Sequence, residues 1–241
     1  MSVHAMKRES CRNVLATAVL ALAALAGSAA NAQQRLVLFG GEVADAAYYT
    51  YFGTVLPFGT REGGRGWFQR YWVDAFGYEY DGGPGRVQAD AYGLEAAVGY
   101  GGSSERGWWS TSLGLRYTDT SLDPDDPAAS ARGSQLGGKL QLEAEGRVAR
   151  DWRLGGAASY SNEQNGYWAR ARLMHAATPA RAFGVEAVAT GNDEADATAV
   201  GLVTTFQPSA GSRWTIGLKA GYRFQDDADG VYGGVEVGYG F

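Results

Sequence analysis

The sequence predicts an all-β protein: a closed, antiparallel, up-and-down transmembrane β-barrel of about twelve strands, following an N-terminal signal peptide. Three observations predict it. The last eleven residues, VYGGVEVGYGF, alternate strictly and end the chain in mid-strand on the aromatic Phe241. Such an edge templates aggregation unless it is paired on both sides, and closure into a barrel pairs it. Eleven further alternating segments precede this one, and the charges and tryptophans between them sort by end of the strands.

At the start, Lys7, Arg8 and Arg12 surround the beginning of an apolar run over 14–26, and Ala30-Asn31-Ala32 is a small-x-small cleavage site. This reads as a signal peptide over 1–32, with the barrel over 33–241. Thirteen apolar residues make about 20 Å of helix, against roughly 30 Å of hydrocarbon, too short for a membrane anchor. The single cysteine, Cys11, lies inside the leader, so the mature chain has no disulfide framework and no cysteine metal site. The net charge of −5 becomes more negative once the basic leader is removed, which argues against a nucleic-acid partner. Thirty-six glycines, six prolines and 12% aromatic residues describe many short strands rather than helices.

In order, the alternating segments run over roughly 35–44, 48–57, 67–80, 86–100, 108–119, 134–148, 152–161, 166–174, 182–190, 197–206, 213–225 and 230–241. The sixth is clean: Leu136, Leu140, Leu142 and Val148 share one face, and Lys139, Gln141, Glu143, Glu145 and Arg147 the other. So is the eleventh, where Trp214, Ile216, Leu218, Tyr222 and Phe224 oppose Thr215, Lys219 and Arg223. The third is the weak one, because Phe68, Arg70, Trp72 and Asp74 mix polarity on a single face. Length fits twelve crossings of 9–11 tilted residues plus connections, and it leaves ten or fourteen open.

Alternation does not say which face is inside: a soluble sandwich buries the apolar set, and a membrane barrel turns it to lipid. Connections and tryptophans decide. Odd-numbered connections carry Asp45, Asp81, Asp119, Asp123, Asp125, Asp126, Glu163, Asp193, Glu194, Asp196, Asp226, Asp227 and Asp229 against Arg86 and Arg132, whereas the intervening turns carry Arg61, Arg65, Arg106, Arg150, Arg181 and Arg213 against Glu62, Glu105 and Asp151. Trp67, Trp108, Trp109, Trp152 and Trp214 open odd-numbered strands, Phe183 opens the ninth, and Tyr239 and Phe241 arrive at the same end. Trp109, Trp152, Phe183, Trp214, Tyr239 and Phe241 are therefore expected to form a membrane-interface girdle. An aromatic C-terminus on an alternating final strand is also how bacterial outer-membrane barrels end, which places the mature chain in that membrane, in contact with its lipid.

The opposite faces supply the candidate lumen: Arg116, Lys139, Glu143, Glu145, Arg147, Arg153, Arg170, Arg172, Glu186, Lys219, Arg223 and Glu236. Glu143 and Glu145 sit about 6.6 Å apart along one strand, a spacing at which paired carboxylates hydrolyse glycosides. Lys139 and Arg147 flank them on the same face, so a mixed-sign lumen network is the expectation instead. His175, the one histidine of the mature chain, is expected in a turn, with no G-x-S-x-G motif to serve. The acidic loops 123–126 and 226–230 offer hard oxygen ligands but lack the twelve-residue calcium-loop pattern. No catalytic residue, cofactor or metal is assigned.

Four stretches carry a family resemblance: GGEVADAAYYTYFGTVLPF at 40–58, GWFQRYWVDAFGYEYDG at 66–82, SLDPDDPAASARGSQLGGKLQLEAEG at 121–146 and FGVEAVATGN at 183–192. They resemble the cellulose biosynthesis protein BcsS family, and the resemblance runs through essentially the whole mature chain. It implies a non-enzymatic envelope role in making or exporting cellulose, with cellulose synthase or export components, or the glucan chain itself, as partners. A general small-solute pore and an outer-membrane enzyme acting on lipid or glucan are the alternatives.

Overall fold

A computed structural model describes residues 35–83, 85–209, 211–225 and 229–241. The expected signal peptide lies outside the described residues. Twelve strands form one closed barrel: β1 (Leu36–Ala44), β2 (Ala47–Glu62), β3 (Arg65–Gly82), β4 (Gly85–Ser104), β5 (Gly107–Asp123), β6 (Gly133–Ala149), β7 (Trp152–Ser161), β8 (Gly166–Thr178), β9 (Arg181–Gly191), β10 (Asp196–Phe206), β11 (Trp214–Gln225) and β12 (Gly230–Gly240). Each pairs antiparallel with its sequence neighbours, and β12 closes on β1 with Leu36 opposite Gly240 and Ala44 opposite Tyr232. The ladder extends past the strand, since Phe241 and Arg35 exchange both backbone bonds at 2.8 and 2.9 Å. No edge is left open, which satisfies the backbone in lipid.

The apolar face points outward. Leu113, Leu136, Leu140, Leu142, Val200, Leu202 and Leu218 all lie exposed on the barrel wall, Leu202 at 69%. A stacked sandwich would hide these side chains, so the soluble alternative is excluded by geometry. Most connections at the end bearing the chain termini are two-residue turns, whereas the far end holds the nine-residue connection between β5 and β6.

Outward aromatics ring both ends of the wall. At the terminal end Trp67 meets Tyr100 at 5.1 Å and Tyr100 meets Trp109 at 6.0 Å; Trp152, His175 and Phe183 meet in sequence at 4.9 and 5.2 Å, tilted and edge-on; Trp214, Tyr239 and Phe241 meet at 4.6 and 5.7 Å. At the far end Tyr48, Tyr92, Tyr117, Tyr160, Tyr167, Tyr222 and Phe224 share the outward face. Several hydroxyls there bond to polar groups beyond the apolar band: Tyr48 to Asp90 at 2.9 Å, Tyr160 to Asn165 at 2.8 Å and Tyr167 to Asp196 at 2.9 Å. An apolar ring with a wet hydroxyl suits the headgroup layer.

Two expectations are corrected. His175 lies within β8, not in a turn: it faces outward between Trp152 and Phe183. Trp108, which the expected girdle leaves out, faces the lumen opposite Glu145, while its neighbour Trp109 faces out. Finally, β2 to β5 are longer than their periodicity suggests, so Glu62 belongs to β2 rather than to a turn, and Asp81, Asp119 and Asp123 are strand residues at the far end.

That extra length has its own polarity. Ala47 pairs with Tyr78, so β3 beyond Tyr78 rises past the β1–β2 turn. There the outward positions are Glu79, Asp81, Arg86, Gln88, Asp90 and Ser121, and the inward ones Tyr78, Tyr80, Val87, Ala89 and Leu122. Above the membrane the rule reverts to that of a water-soluble sheet, apolar inside, and the inner face packs on Ala129 of the β5–β6 connection.

Candidate functional site

The lumen is the candidate site, and register builds it. Counting across the ladders puts Arg116, Lys139, Glu143, Glu145, Arg147, Arg153, Arg170, Arg172, Glu186, Lys219, Arg223 and Glu236 all on the inner face. Nine of them gather into two clusters, joined by residues that periodicity did not single out, while Glu145, Arg147 and Arg153 lie nearer the terminal end.

On the β3–β6 side, Arg116 clamps Asp74 with two bonds of 2.8 and 2.9 Å and turns its Nε toward Glu163 at 3.3 Å. Arg70 reaches Glu95 at 3.1 Å and Glu143 at 3.0 Å, and Lys139 reaches Glu95 at 2.7 Å. Arg70 also lies over the Trp72 ring at 4.4 Å, and Trp72 stacks on Tyr51 at 4.8 Å and donates to Tyr49 at 3.1 Å. Trp72 lies flat because its β2 neighbour is Gly53, where any Cβ would strike the indole.

On the opposite side, Glu236 accepts from Arg172 at 2.8 and 2.9 Å and from Arg170 at 2.9 Å. Arg172 also holds Glu186 at 2.8 Å, and Glu186 accepts from the Tyr232 hydroxyl at 2.9 Å. Lys219 joins Glu42 at 2.6 Å, with Arg223 3.8 Å from the same carboxylate. Nearer the terminal end, Arg153 pairs with Glu145 at 3.0 Å in a more exposed setting.

The innermost of these charges are nearly dry: Asp74 is 1% exposed, Glu186 3% and Arg116 8%. Ions taken out of water cost several kcal/mol each unless paired and hydrogen-bonded, so these innermost charges are held by complementarity, while the Glu143, Arg170 and Glu236 side chains keep partial exposure. Each carboxylate of the Glu143/Glu145 pair is tied to a different guanidinium, which leaves neither placed as acid and base across a common substrate.

Loops at the far end are tied to one another and to the wall beneath them. Ser130 donates its backbone N–H to Glu194 at 2.6 Å and its hydroxyl to Asp193 at 3.2 Å, linking the β5–β6 and β9–β10 connections. Gln164 dips in from the β7–β8 turn to bond Thr120 and the Ala131 carbonyl, both at 3.3 Å. Asn192 donates to the Tyr78 hydroxyl at 2.9 Å and Gln225 to the Glu79 carbonyl at 2.8 Å. Tyr80 donates to Asp126 at 3.4 Å; burial, with that carboxylate adjacent, pushes its phenol well above the ordinary value. Of the loop acids, Asp125 pairs with Arg132 at 2.8 Å, and Asp226 and Asp227 lie outside the described residues. Among the described residues no group of three or more His, Cys, Asp or Glu is arranged to hold a metal ion.

The model of one protein family, cellulose biosynthesis protein BcsS, matches residues 37–241, from the first strand to the last residue. The chain belongs to the BcsS family. No curated protein matches it. Solved structures share its shape: a KdgM porin (TM-score 0.51, 11% identity, 86% of this chain and 99% of that one), the translocator domain of the autotransporter NalP from Neisseria meningitidis (0.52, 11%, 97% and 98%) and the COG4313 outer membrane channel from Pseudomonas putida F1 (0.54, 11%, 86% and 94%). At such identities they show the fold alone: this BcsS chain is built as an outer-membrane barrel. In such barrels the short turns are periplasmic and the long loops extracellular; here most of the two-residue turns lie at the end bearing Glu145 and Arg153.

The inner-face residues that sequence reasoning missed are Glu42, Arg70, Asp74 and Glu95; Glu163 lies in a connection as expected and reaches Arg116 from there. A signal existed for two of them, since Arg70 and Asp74 are the residues that spoiled the alternation of the third segment. Glu42 and Glu95 sit singly among apolar or small neighbours, and only the register shows their partners.

Proposed function

We propose that the protein is a non-enzymatic outer-membrane component of a cellulose-producing system that works by contact, with glucan or with the synthase and export machinery, rather than by letting solute pass. It is exported through the signal peptide over 1–32, which is cleaved, and the mature barrel, 33–241, sits in outer-membrane lipid. The family match supports the cellulose association. The observation that carries the mode of action is the dry, paired charge network across the middle of the lumen, together with the loops tied over its outer end.

An open small-solute pore needs solvated lumen charges, and here Asp74, Glu95, Arg116 and Glu186 are buried. Deleting the gene and weighing the cellulose made by the strain tests the proposal. A marked fall, restored by the wild-type gene, is expected; unchanged output overturns it.

A further inference from the structure

Trp108 is the odd member of the rim. Trp67, Trp109, Trp152 and Trp214 face lipid, whereas Trp108 registers opposite Glu145 on the lumen side and is still 41% exposed. Lipid does not reach it there. An indole left bare at an aqueous mouth offers a flat apolar face beside the polar groups around it.

Its surroundings suit one class of ligand. A cavity of about 150 Å³ opens beside it, walled by Ser103, Ser104, Arg106, Glu145, Arg147 and Arg153. That is space for several waters at roughly 30 Å³ each, the scale of a single sugar ring. A β-linked glucose unit presents flat C–H faces that lie on an indole and equatorial hydroxyls that both donate and accept. Glu145 accepts, the guanidiniums donate, and the 3.0 Å Glu145–Arg153 pair is partly exposed, so it can exchange partners without uncovering a dry charge. Two residues along the same strand face, Glu143 is held by Arg70 at 3.0 Å.

We infer that this periplasmic mouth is a glucan-binding site, with Trp108 as the stacking platform and Glu145, Arg147 and Arg153 as the hydroxyl contacts; the choice of glucan rests on the cellulose reading above. The test uses the mature barrel refolded in detergent, its folding verified by heat-modifiable gel mobility, titrated with cellohexaose and followed by tryptophan fluorescence and calorimetry. Saturable binding is expected, weakened about tenfold or more by Trp108→Ala, largely kept by Trp108→Tyr and unchanged by Trp109→Ala. Absence of saturable binding to folded wild-type protein, equal binding by Trp108→Ala, or binding of an oligogalacturonate of the same length in place of cellohexaose overturns the site. The two readings fail separately. Lost cellulose in the deletion strain without cellohexaose binding removes only this site, whereas cellohexaose binding with unchanged cellulose output removes the functional proposal and leaves a glucan-binding barrel.

Discussion

Arg116 of β5 and Asp74 of β3 bind each other across the whole width of β4, with Nη–Oδ distances of 2.8 and 2.9 Å. The strand between them carries Gly93 at the crossing point, where a Cβ would run into both the carboxylate and the guanidinium. Two charges are thus held nearly dry over a position with no side chain, and the wall and the filling of the barrel depend on one another.

This relationship predicts an asymmetry between breaking the pair and replacing it. Arg116→Ala leaves Asp74 buried and uncompensated and is expected to lower the unfolding free energy in lipid vesicles by about 3–5 kcal/mol. The double variant Arg116→Met with Asp74→Leu is expected to lose far less. Urea titration followed by gel mobility checks both, and a loss under about 1 kcal/mol for Arg116→Ala contradicts the buried-pair description.

The outward greasy face makes a second, opposite expectation. Leu202 sits on the wall between the aromatic rings, and Leu202→Arg there is expected to cost about 2–4 kcal/mol, as a charge near the bilayer midplane does. Ser121→Arg, outward but above the far ring, is expected to stay within about 0.5 kcal/mol. The same urea titration in vesicles reads both, and equal tolerance at the two sites contradicts the membrane assignment.

Closure of the outer end is testable on living cells. Ala131 of this connection is fully buried, and Ala131→Asp forces a carboxylate into that space. Added protease is expected to spare the wild-type 124–132 connection and to cut the variant several times faster, read by mass spectrometry of the fragments. Equal cleavage of both means the loop is not tied down.

Alkali is expected to loosen the same lid. The folded state raises the Tyr80 phenol above its ordinary value of 10.0, so between that value and the folded one the unfolded lid has released a proton that the closed lid retains. Stability contributed by Tyr80 is therefore complete below pH 10 and is lost as pH rises beyond it. Cleavage of the 124–132 connection is expected to accelerate above pH 10 in wild type and much less in Tyr80→Phe. Parallel acceleration in both assigns the effect elsewhere.

The fold was legible because lipid imposes a simple rule. Where both faces are uniform, as in β6 and β11, period-two alternation gives the strand, its face and nearly its ends. Legibility failed where the environment changes along a strand. On β3 the lumen face passes from Phe68 through Arg70 and Asp74 to Tyr78 and Tyr80, because it crosses from the charged middle to the apolar underside of the lid. His175 looked like a turn residue since Thr178 and Pro179 follow it, yet the girdle holds it by ring contacts that only the β7–β8–β9 register creates. Of the lumen charges, the faces were readable and the partners were not. Arg170 and Glu236 lie 66 positions apart in the chain and 2.9 Å apart in space.

Planar-bilayer recording on the purified, refolded barrel tests the closed lumen most directly. A filled middle under tied loops is expected to give no steady unitary conductance at moderate voltage, and Arg116→Ala or removal of residues 124–132 to give at most brief, irregular openings. A steady, ohmic, porin-sized current from the wild-type protein would contradict the account.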